Sequence, residues 1–345
     1  MKHRSNPVLR RSVLALLAAA CSSAFSQTNP NISAKLKTVS PRETAQWPTQ
    51  PIKLIVGFPP GSVQDISARI IAEPLSKSLG QPVIVENKEG ASGSIAAAFV
   101  AKATDQHTFG VMNNSQLTIA KMLNPAIAYD PATDLSPIAL IATTPLVLVV
   151  TTSAVGSNPM QWLAWLSGQG DKANYGSPGV GTPGHLGMEL IKSKSGGLST
   201  RHIPYPGNPQ VINAILSGQI QAALLPPGLA LQQVRSGKLH AIGVTTEHRS
   251  LLAPELPTLR ESSVVGVDIE LFTAVAGPAT ASQAVQEKLS LAVVAAVKSA
   301  ETRQKLINSG WQPSPSIAEG LRSKVRAENM RLGGIIILRN IRMEG

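Results

Sequence analysis

The feature that most constrains the fold is a glycine-rich loop that begins at residue 177, between a strand-like run and a helix. The strand-like run ends at Tyr175, and Ser-Pro-Gly-Val-Gly-Thr-Pro-Gly then opens directly into helical sequence. Such a loop leaves backbone N–H groups unpaired beside the positive end of the helix dipole. The pattern therefore predicts an α/β unit with a binding site for a small anion.

The same loop reads G-x-G-x-x-G from Gly179 to Gly184, which is the spacing of a dinucleotide-binding fingerprint. That fingerprint also needs an acidic residue about 20 positions further on, where it holds the ribose. Residues 199–204 read Ser-Thr-Arg-His-Ile-Pro and contain no acid. The nucleotide interpretation is therefore set aside.

A second loop of the same kind follows the apolar strand predicted over 52–58. It runs through Pro60 and Gly61 into a helix predicted over 63–79. Ser62 and Asp65 have the spacing of a helix cap and a favourable first-turn acid. Either the two loops only start helices, as glycine and serine commonly do, or they line one cleft.

Motifs in a fixed order along the chain resemble one known family. They lie at residues 47–48, 58–61, 79–87, 175–186, 202–205, 217–219, 236–239, 244–245, 256–258 and 326–344. Each motif is weak alone, but together they cover nearly everything after residue 46. The chain resembles the Bug family, the extracytoplasmic solute receptors of tripartite tricarboxylate transporters.

The resemblance implies an α/β, type II periplasmic-binding-protein fold with a ligand cleft at the hinge between two lobes. We expect a first lobe made of residues 47–145 plus 272–345, and a second lobe at 146–271. The implied function is capture of a small organic carboxylate, either a di- or tricarboxylate or an aromatic acid, and its delivery to membrane permease subunits. An alternative is an orphan or signalling receptor that presents its ligand-bound form to a membrane sensor.

Neither loop carries lysine or arginine, so a carboxylate would be held by neutral donors. We expect these to include the amides of Gly61, Ser62, Gly181 and Thr182, with nearby hydroxyls and the helix dipoles. Residues 113–115 match another family loop that faces the cleft. The expected ligand-binding residues are Pro60, Gly61, Ser62, Asp65, Asn113, Asn114, Ser115, Ser177, Gly181, Thr182, His185 and Tyr205.

The chain departs from the family pattern at positions that bear on specificity. Ser62 stands where a second glycine is common, and Pro206 replaces a frequent lysine. The segment around Pro226 lacks an aspartate that family members specific for amino acids use to bind an amino group. A ligand with an ammonium group is therefore not expected.

Composition excludes several classes of protein. The chain has 345 residues, 43% of them hydrophobic and 15% charged, enough to bury two aliphatic cores. The formal net charge is +11, but aromatic residues make up only 3%, unlike the interleaved cations and aromatics of a nucleic-acid groove. No nucleophile motif suggests an enzyme. His185 and Glu189 have a spacing compatible with metal but no third ligand nearby, so no metal or cofactor is expected.

The amino terminus reads as an export signal. Residues 1–26 combine a basic start, a short apolar run and a small-x-small cleavage site. Residues 27–46 read as a flexible leader. Cys21 is the only cysteine, so it is either a lipid anchor or part of the removed signal. We expect a periplasmic monomer, exported by the Sec or the twin-arginine route.

Overall fold

The structure is a computed structural model that describes residues 47–196 and 198–341; the predicted signal peptide, leader and lipid anchor lie outside these residues. Two β-sheets organise the described chain. Their strands are β1 (Ile52–Val56), β2 (Val83–Asn87), β3 (Thr108–Met112), β4 (Leu135–Pro145), β5 (Val147–Thr151), β6 (Asn174–Ser177), β7 (Arg201–Pro204), β8 (Ala222–Leu225), β9 (Leu239–Val244), β10 (Glu270–Pro278) and β11 (Gln312–Ile317).

The first lobe is built on a six-stranded sheet with the order β11-β4-β10-β3-β1-β2. β1 runs parallel to β2 and β3, whereas β10 lies antiparallel to β3 and β4. The second lobe is built on a five-stranded sheet with the order β7-β6-β8-β5-β9. There β6 runs parallel to β7 and β8, and β5 is antiparallel to β8 and β9. The two-lobed α/β fold predicted from the sequence is confirmed.

Helices connect most of the strands. None of the described helices is both long enough and apolar enough to span a bilayer. They are α1 (Val63–Leu79), α2 (Ser94–Ala101), α3 (Asn114–Leu117), α4 (Ala120–Leu123), α5 (Pro159–Gly168), α6 (Pro183–Lys194), α7 (Asn208–Leu216), α8 (Pro227–Arg235), α9 (Gln283–Lys298), α10 (Ala300–Asn308) and α11 (Ala318–Arg339).

Helix α1 shows how the sequence sets these elements. Ser62 caps its first turn by accepting the Asp65 amide, and Gly80 ends it in the left-handed conformation at φ 72°. Ile71 and Leu75 are fully buried against the sheet. The helix continues through Pro74, so the shortening that an internal proline suggests does not occur.

The chain passes between the lobes at two adjacent segments, which Thr245 holds together. β4 belongs to the first sheet and β5 to the second, with only Leu146 between them. The buried Thr245 hydroxyl bonds the amide of Leu146 at 2.9 Å and the carbonyl of Ile269, just before β10, at 2.7 Å. If the lobes rotate about this point, the chain bends at Leu146 and at Ile269, the two segments that Thr245 holds together. The exact lobe boundaries stay a prediction.

Candidate functional site

A small cavity lies between the lobes, where the starts of five helices meet. Its internal volume is about 20 Å³, which is room for about one water molecule. None of the residues that line it, all in the described part of the chain, carries a charge. The lining residues are Phe58, Val63, Gln64, Asn113, Leu146, Pro178, Thr182, Pro183, Gly184, Asn208, Leu224, Pro226 and Leu271.

The start of α1 faces this cavity with free donors. The first turn of any helix leaves its N–H groups without partners inside the helix. In α1 the Ser62 hydroxyl accepts only the third of them, that of Asp65, at 3.4 Å. The amides of Val63 and Gln64 have no partner among the described residues, and both residues line the cavity.

The start of α6 faces the cavity from the second lobe. Thr182 is the cap residue, but its hydroxyl donates to the carbonyl of Gly179 at 2.7 Å and caps no helix amide. Pro183 has no N–H to donate. The amides of Gly184 and His185 therefore remain available. Two helix starts thus supply the unpaired donors and positive dipole ends that favour an anion.

The four amides expected to hold the ligand are a different set; each has a partner within its own loop here, and their contact with the ligand stays a prediction. Gly61 donates to the Asp65 carboxylate at 3.0 Å and Gly181 to His185 Nδ1 at 3.0 Å. The Ser62 and Thr182 amides donate to carbonyls within their own loops, at 3.1 and 3.3 Å. The glycine turns fold each loop upon itself, and the free donors start one or two residues later in the helix.

Two neutral histidines stiffen the second-lobe loop. His185 and His202 stack with ring centroids 4.0 Å apart, and His202 Nε2 shares a 2.7 Å hydrogen bond with the Ser177 hydroxyl. Burial, with a smaller effect from nearby Lys192, lowers the pKa of His185 to about 4. Burial and His185 lower the pKa of His202 to about 3. Both rings are therefore uncharged at neutral pH, and Nδ1 of His185 is free to accept the Gly181 amide.

Glu189, one turn beyond His185, is fully engaged with protein groups. Its carboxylate accepts the Tyr175 hydroxyl at 2.7 Å, Lys192 at 2.7 Å and Arg339 of α11 at 3.2 Å. Burial opposes its ionisation, but these hydrogen bonds outweigh it and lower the pKa of Glu189. Within residues 47–196 and 198–341 no group of three or more metal-ligating side chains assembles. The ion pair with Arg339 ties α6 to the helix that follows β11.

Residues 113–115 have three separate roles. Asn113 lines the cavity, and its side-chain oxygen caps α3 by accepting the Ser115 amide at 3.0 Å. Asn114 is buried and does not line the cavity. Its side-chain amide donates to the Glu328 carboxylate and to a β10 carbonyl, and its side-chain oxygen accepts a β10 amide. Ser115 crosses between the lobes, where its hydroxyl donates to the Gly181 carbonyl at 2.8 Å.

The remaining predicted residues do not line the cavity. Pro60 and Gly61 are exposed. Asp65 accepts Gly61, Arg69 and Asn87, and their hydrogen bonds outweigh its burial and lower its pKa. Tyr205 is half-buried against the second-lobe core.

Two buried amide side chains line the cavity and were not expected from the sequence. Gln64 is 3% exposed and Asn208 is 4% exposed, and they belong to opposite lobes. Neither side-chain amide forms a hydrogen bond among the described residues. Neither is among the described side chains whose polar atoms are both fully buried and unpaired, so both amides are accessible to a ligand in the cavity. Their place in the first turn of a helix is the sequence signal that could have identified them.

Comparison with known proteins shows which family the chain belongs to. The family model described as the tripartite tricarboxylate transporter family receptor matches residues 67–341. The chain belongs to this family. The resemblance seen in the sequence is thereby confirmed, and the family is one of solute receptors and not of enzymes.

Individual relatives agree with that assignment. A UPF0065 protein of Bordetella pertussis is 33% identical over 304 residues, which is 88% of this chain and 94% of the relative. An R. palustris protein solved with adipate superposes with a TM-score of 0.80 at 28% identity, over 84% of this chain and 97% of its own. The periplasmic binding protein BugD gives a TM-score of 0.80 at 25% identity, over 86% of this chain and all of its own.

Proposed function

We propose that this chain is a periplasmic receptor that closes its two lobes around a small organic carboxylate and delivers it to a tripartite tricarboxylate-type permease. The observation that carries the proposal is the convergence of helix starts from both lobes on one uncharged cavity. The solved relative with adipate supports a dicarboxylate as the ligand class. The export signal supports the periplasm.

In this proposal each lobe contributes one set of donors to the ligand. The first lobe offers the amides of Val63 and Gln64, and the second offers those of Gly184 and His185. The side chains of Gln64, Asn113, Thr182 and Asn208 complete the lining. A hydrogen bond to a charged group contributes about 1.5–3 kcal/mol, so a few such bonds suffice for tight binding.

The lobes must move for the ligand to enter. A cavity of about 20 Å³ holds one water, whereas a dicarboxylate needs the volume of several. Ser92 of the first lobe donates to the Val180 carbonyl at 2.9 Å, and Ser115 donates to Gly181, so the rim is closed by direct hydrogen bonds. Opening about the clamped strands at Leu146 and Ile269 would break these contacts and leave both sheets intact.

A thermal-shift screen of carboxylates, followed by calorimetry, tests the binding step. A ligand that binds only the folded protein raises its melting temperature. We expect adipate or a related acid to do so, whereas 1,6-hexanediol, which has the same chain length and no charge, should not. If no mono-, di- or tricarboxylate shifts the transition, or if the diol matches the acid, the carboxylate proposal is wrong.

Two further measurements test closure and delivery. X-ray scattering should show a monomer that becomes more compact when a saturating ligand is added; unchanged dimensions would contradict closure. Uptake of the radiolabelled ligand by whole cells should fall when the gene is deleted and return when it is restored. Unchanged uptake would contradict delivery to a permease, and the binding result would still stand.

A further inference from the structure

A second concave site lies on the outer face of the first lobe. It is an open groove of about 400 Å³, within the size range of small-molecule sites. One wall is the first half of α11, and the other is the segment that leads into β4. We call it the arginine groove; it is lined by Leu117, Thr118, Pro131, Ala132, Thr133, Leu135, Ser136, Pro137, Ala279, Arg322, Val325, Arg326 and Asn329.

Two guanidinium groups give the groove its charge. Arg322 and Arg326 lie one helical turn apart on α11, and both are exposed. In the described chain neither forms an ion pair; Arg326 donates only to the Ser323 hydroxyl, at 3.0 Å. The acids that flank the opposite wall are engaged in their own turn, where Asp130 accepts the Ala132 amide and Asp134 accepts the Asp130 amide, both at 2.9 Å.

Apolar side chains and occupied hydroxyls form the rest of the surface. Leu117 is 3% exposed and Leu135 is 4% exposed, and Val325 packs beside them. The Thr118 hydroxyl donates to the Asn114 carbonyl at 2.6 Å, and the Ser136 hydroxyl donates to Gln286 at 2.6 Å. A ligand would therefore meet two cationic donors next to an apolar floor.

We propose that the arginine groove is a second binding site, for a small organic acid whose carboxylate pairs with Arg322 and Arg326. A guanidinium presents a planar fork of donors that matches a carboxylate, and two of them one turn apart can share it. The apolar body of the acid would lie on Leu117, Leu135 and Val325. Because every lining residue belongs to the first lobe, occupancy does not require the lobes to close.

Chemical modification of arginines can measure ligand binding at this groove separately for each arginine. The mature protein is treated with phenylglyoxal, and mass spectrometry of peptides follows each arginine with and without adipate. We expect adipate to slow modification of Arg322 and Arg326 about threefold or more, because both guanidiniums would be paired. Arg303 of α10 is an exposed arginine of the same lobe and should react at an unchanged rate.

Three outcomes would overturn the proposal. Equal protection of Arg303 would show general ionic screening, and equal protection by 1,6-hexanediol would show that charge is irrelevant. Protection by a short glutamate-rich peptide and not by adipate would show that the groove binds a protein segment. Since mass spectrometry reads Arg322 and Arg326 individually and neither lines the cavity between the lobes, the result does not depend on whether that cavity binds a carboxylate.

A pair of matched variants gives an independent measurement. R322Q/R326Q removes both charges and keeps a polar side chain at each position, and calorimetry with adipate should lose the weaker of two binding events. K298Q/R303Q removes the same charge from exposed positions on α9 and α10 and should keep both events. If the two variants behave alike, the groove is not the second site.

Discussion

The cavity between the lobes and the arginine groove are two ways to hold an organic anion, and they differ in almost every physical property. The cavity lies between the lobes, has room for about one water and is lined by uncharged residues. The groove is open, about 400 Å³ in volume, and carries two guanidinium groups. The cavity uses parts of both lobes, whereas the groove uses one.

The difference follows from the cost of burying charge. A guanidinium enclosed between the lobes would lose its hydration whenever the protein closed without ligand. Backbone amides at helix starts carry only partial charges, and they are held in place by the fold. An enclosed site therefore favours neutral, fixed donors. On the surface, charged groups stay hydrated, so full charges cost little there. Their attraction for an anion is weakened by salt.

The strongest test of this contrast is to fill the cavity. Gly184 has an ordinary backbone conformation, and an added Cβ would lie 3.4 Å from Pro178, so Gly184→Leu places its side chain in the cavity. Loss of two or more charged hydrogen bonds should weaken adipate binding at this site at least about a hundredfold. Protection of Arg322 and Arg326 should not change.

Gly334→Leu is the matched control for that variant. Gly334 lies on the exposed face of α11, where an added Cβ meets no atom within 4 Å. We expect parental affinity, with circular dichroism showing that both variants fold. Unchanged binding in folded Gly184→Leu would remove the α6 start from the site.

The second prediction concerns how the stability of the protein depends on pH, through the two buried histidines of the second-lobe loop. His185 and His202 have folded-state pKa values of about 4 and about 3, below the ordinary 6.5. Between pH 6.5 and 5 the unfolded chain therefore binds more protons than the folded one, so the free energy of unfolding falls as the pH is lowered. The limit is about 1.4 kcal/mol per pH unit for each histidine.

Urea unfolding at pH 7, 6 and 5 measures this effect. His202→Gln should show a smaller fall in stability over the same range than the parent protein. The carboxylates with lowered pKa values, Asp65 and Glu189, contribute stability that is lost only as the pH falls below their ordinary values of 3.8 and 4.5. An identical fall in both proteins would contradict the role given to His202.

The third prediction removes one neutral donor from the cavity. Gln64→Leu keeps the approximate size of the side chain and deletes an amide that has no partner among the described residues. Adipate affinity should fall about tenfold, while stability stays within about 1 kcal/mol because no internal hydrogen bond is lost. Gln304→Leu, on the exposed face of α10, is the control. Full affinity in Gln64→Leu would show that this amide does not contact the ligand.

The smallest expected effect comes from salt, and it separates the two sites directly. Raising sodium chloride from about 0.05 M to about 0.5 M shortens the screening length from over 10 Å to below 5 Å. Phenylglyoxal protection at the exposed Arg322 and Arg326 should then largely disappear. Binding in the uncharged cavity between the lobes should change by less than about threefold. Equal salt sensitivity at both sites would contradict the comparison.

Some elements were predictable from the sequence because their signals are local. The bounds of α1 follow from Ser62 at its start and Gly80 at its end, in agreement with the helix expected over 63–79. Other elements were missed. β11 contains Pro313 and Pro315 and pairs only at the sheet edge, so nothing local marks it as a strand. Because β11 ends at Ile317, α11 begins only at Ala318.

The candidate site shows the same division. The sequence identified both glycine loops and the absence of cations in them. It did not identify Gln64 and Asn208, because an amide side chain after a helix cap usually faces solvent. Nor did the sequence show that the amides of Gly61 and Gly181 donate to Asp65 and His185, four residues further on.

The sequence by itself determined the family, the two strand-loop-helix units and the neutral character of the proposed anion site, since each depends on residue type and spacing. Only the tertiary structure decided which donors are free and which side chains face each other across the lobes. Whether a donor is free depends on partners distant in sequence: the Ser177 hydroxyl bonds His202, and Ser115 reaches Gly181 from the other lobe. Helical and strand periodicity cannot encode contacts of that kind, because they arise only when strands distant in sequence pair and the two lobes pack together.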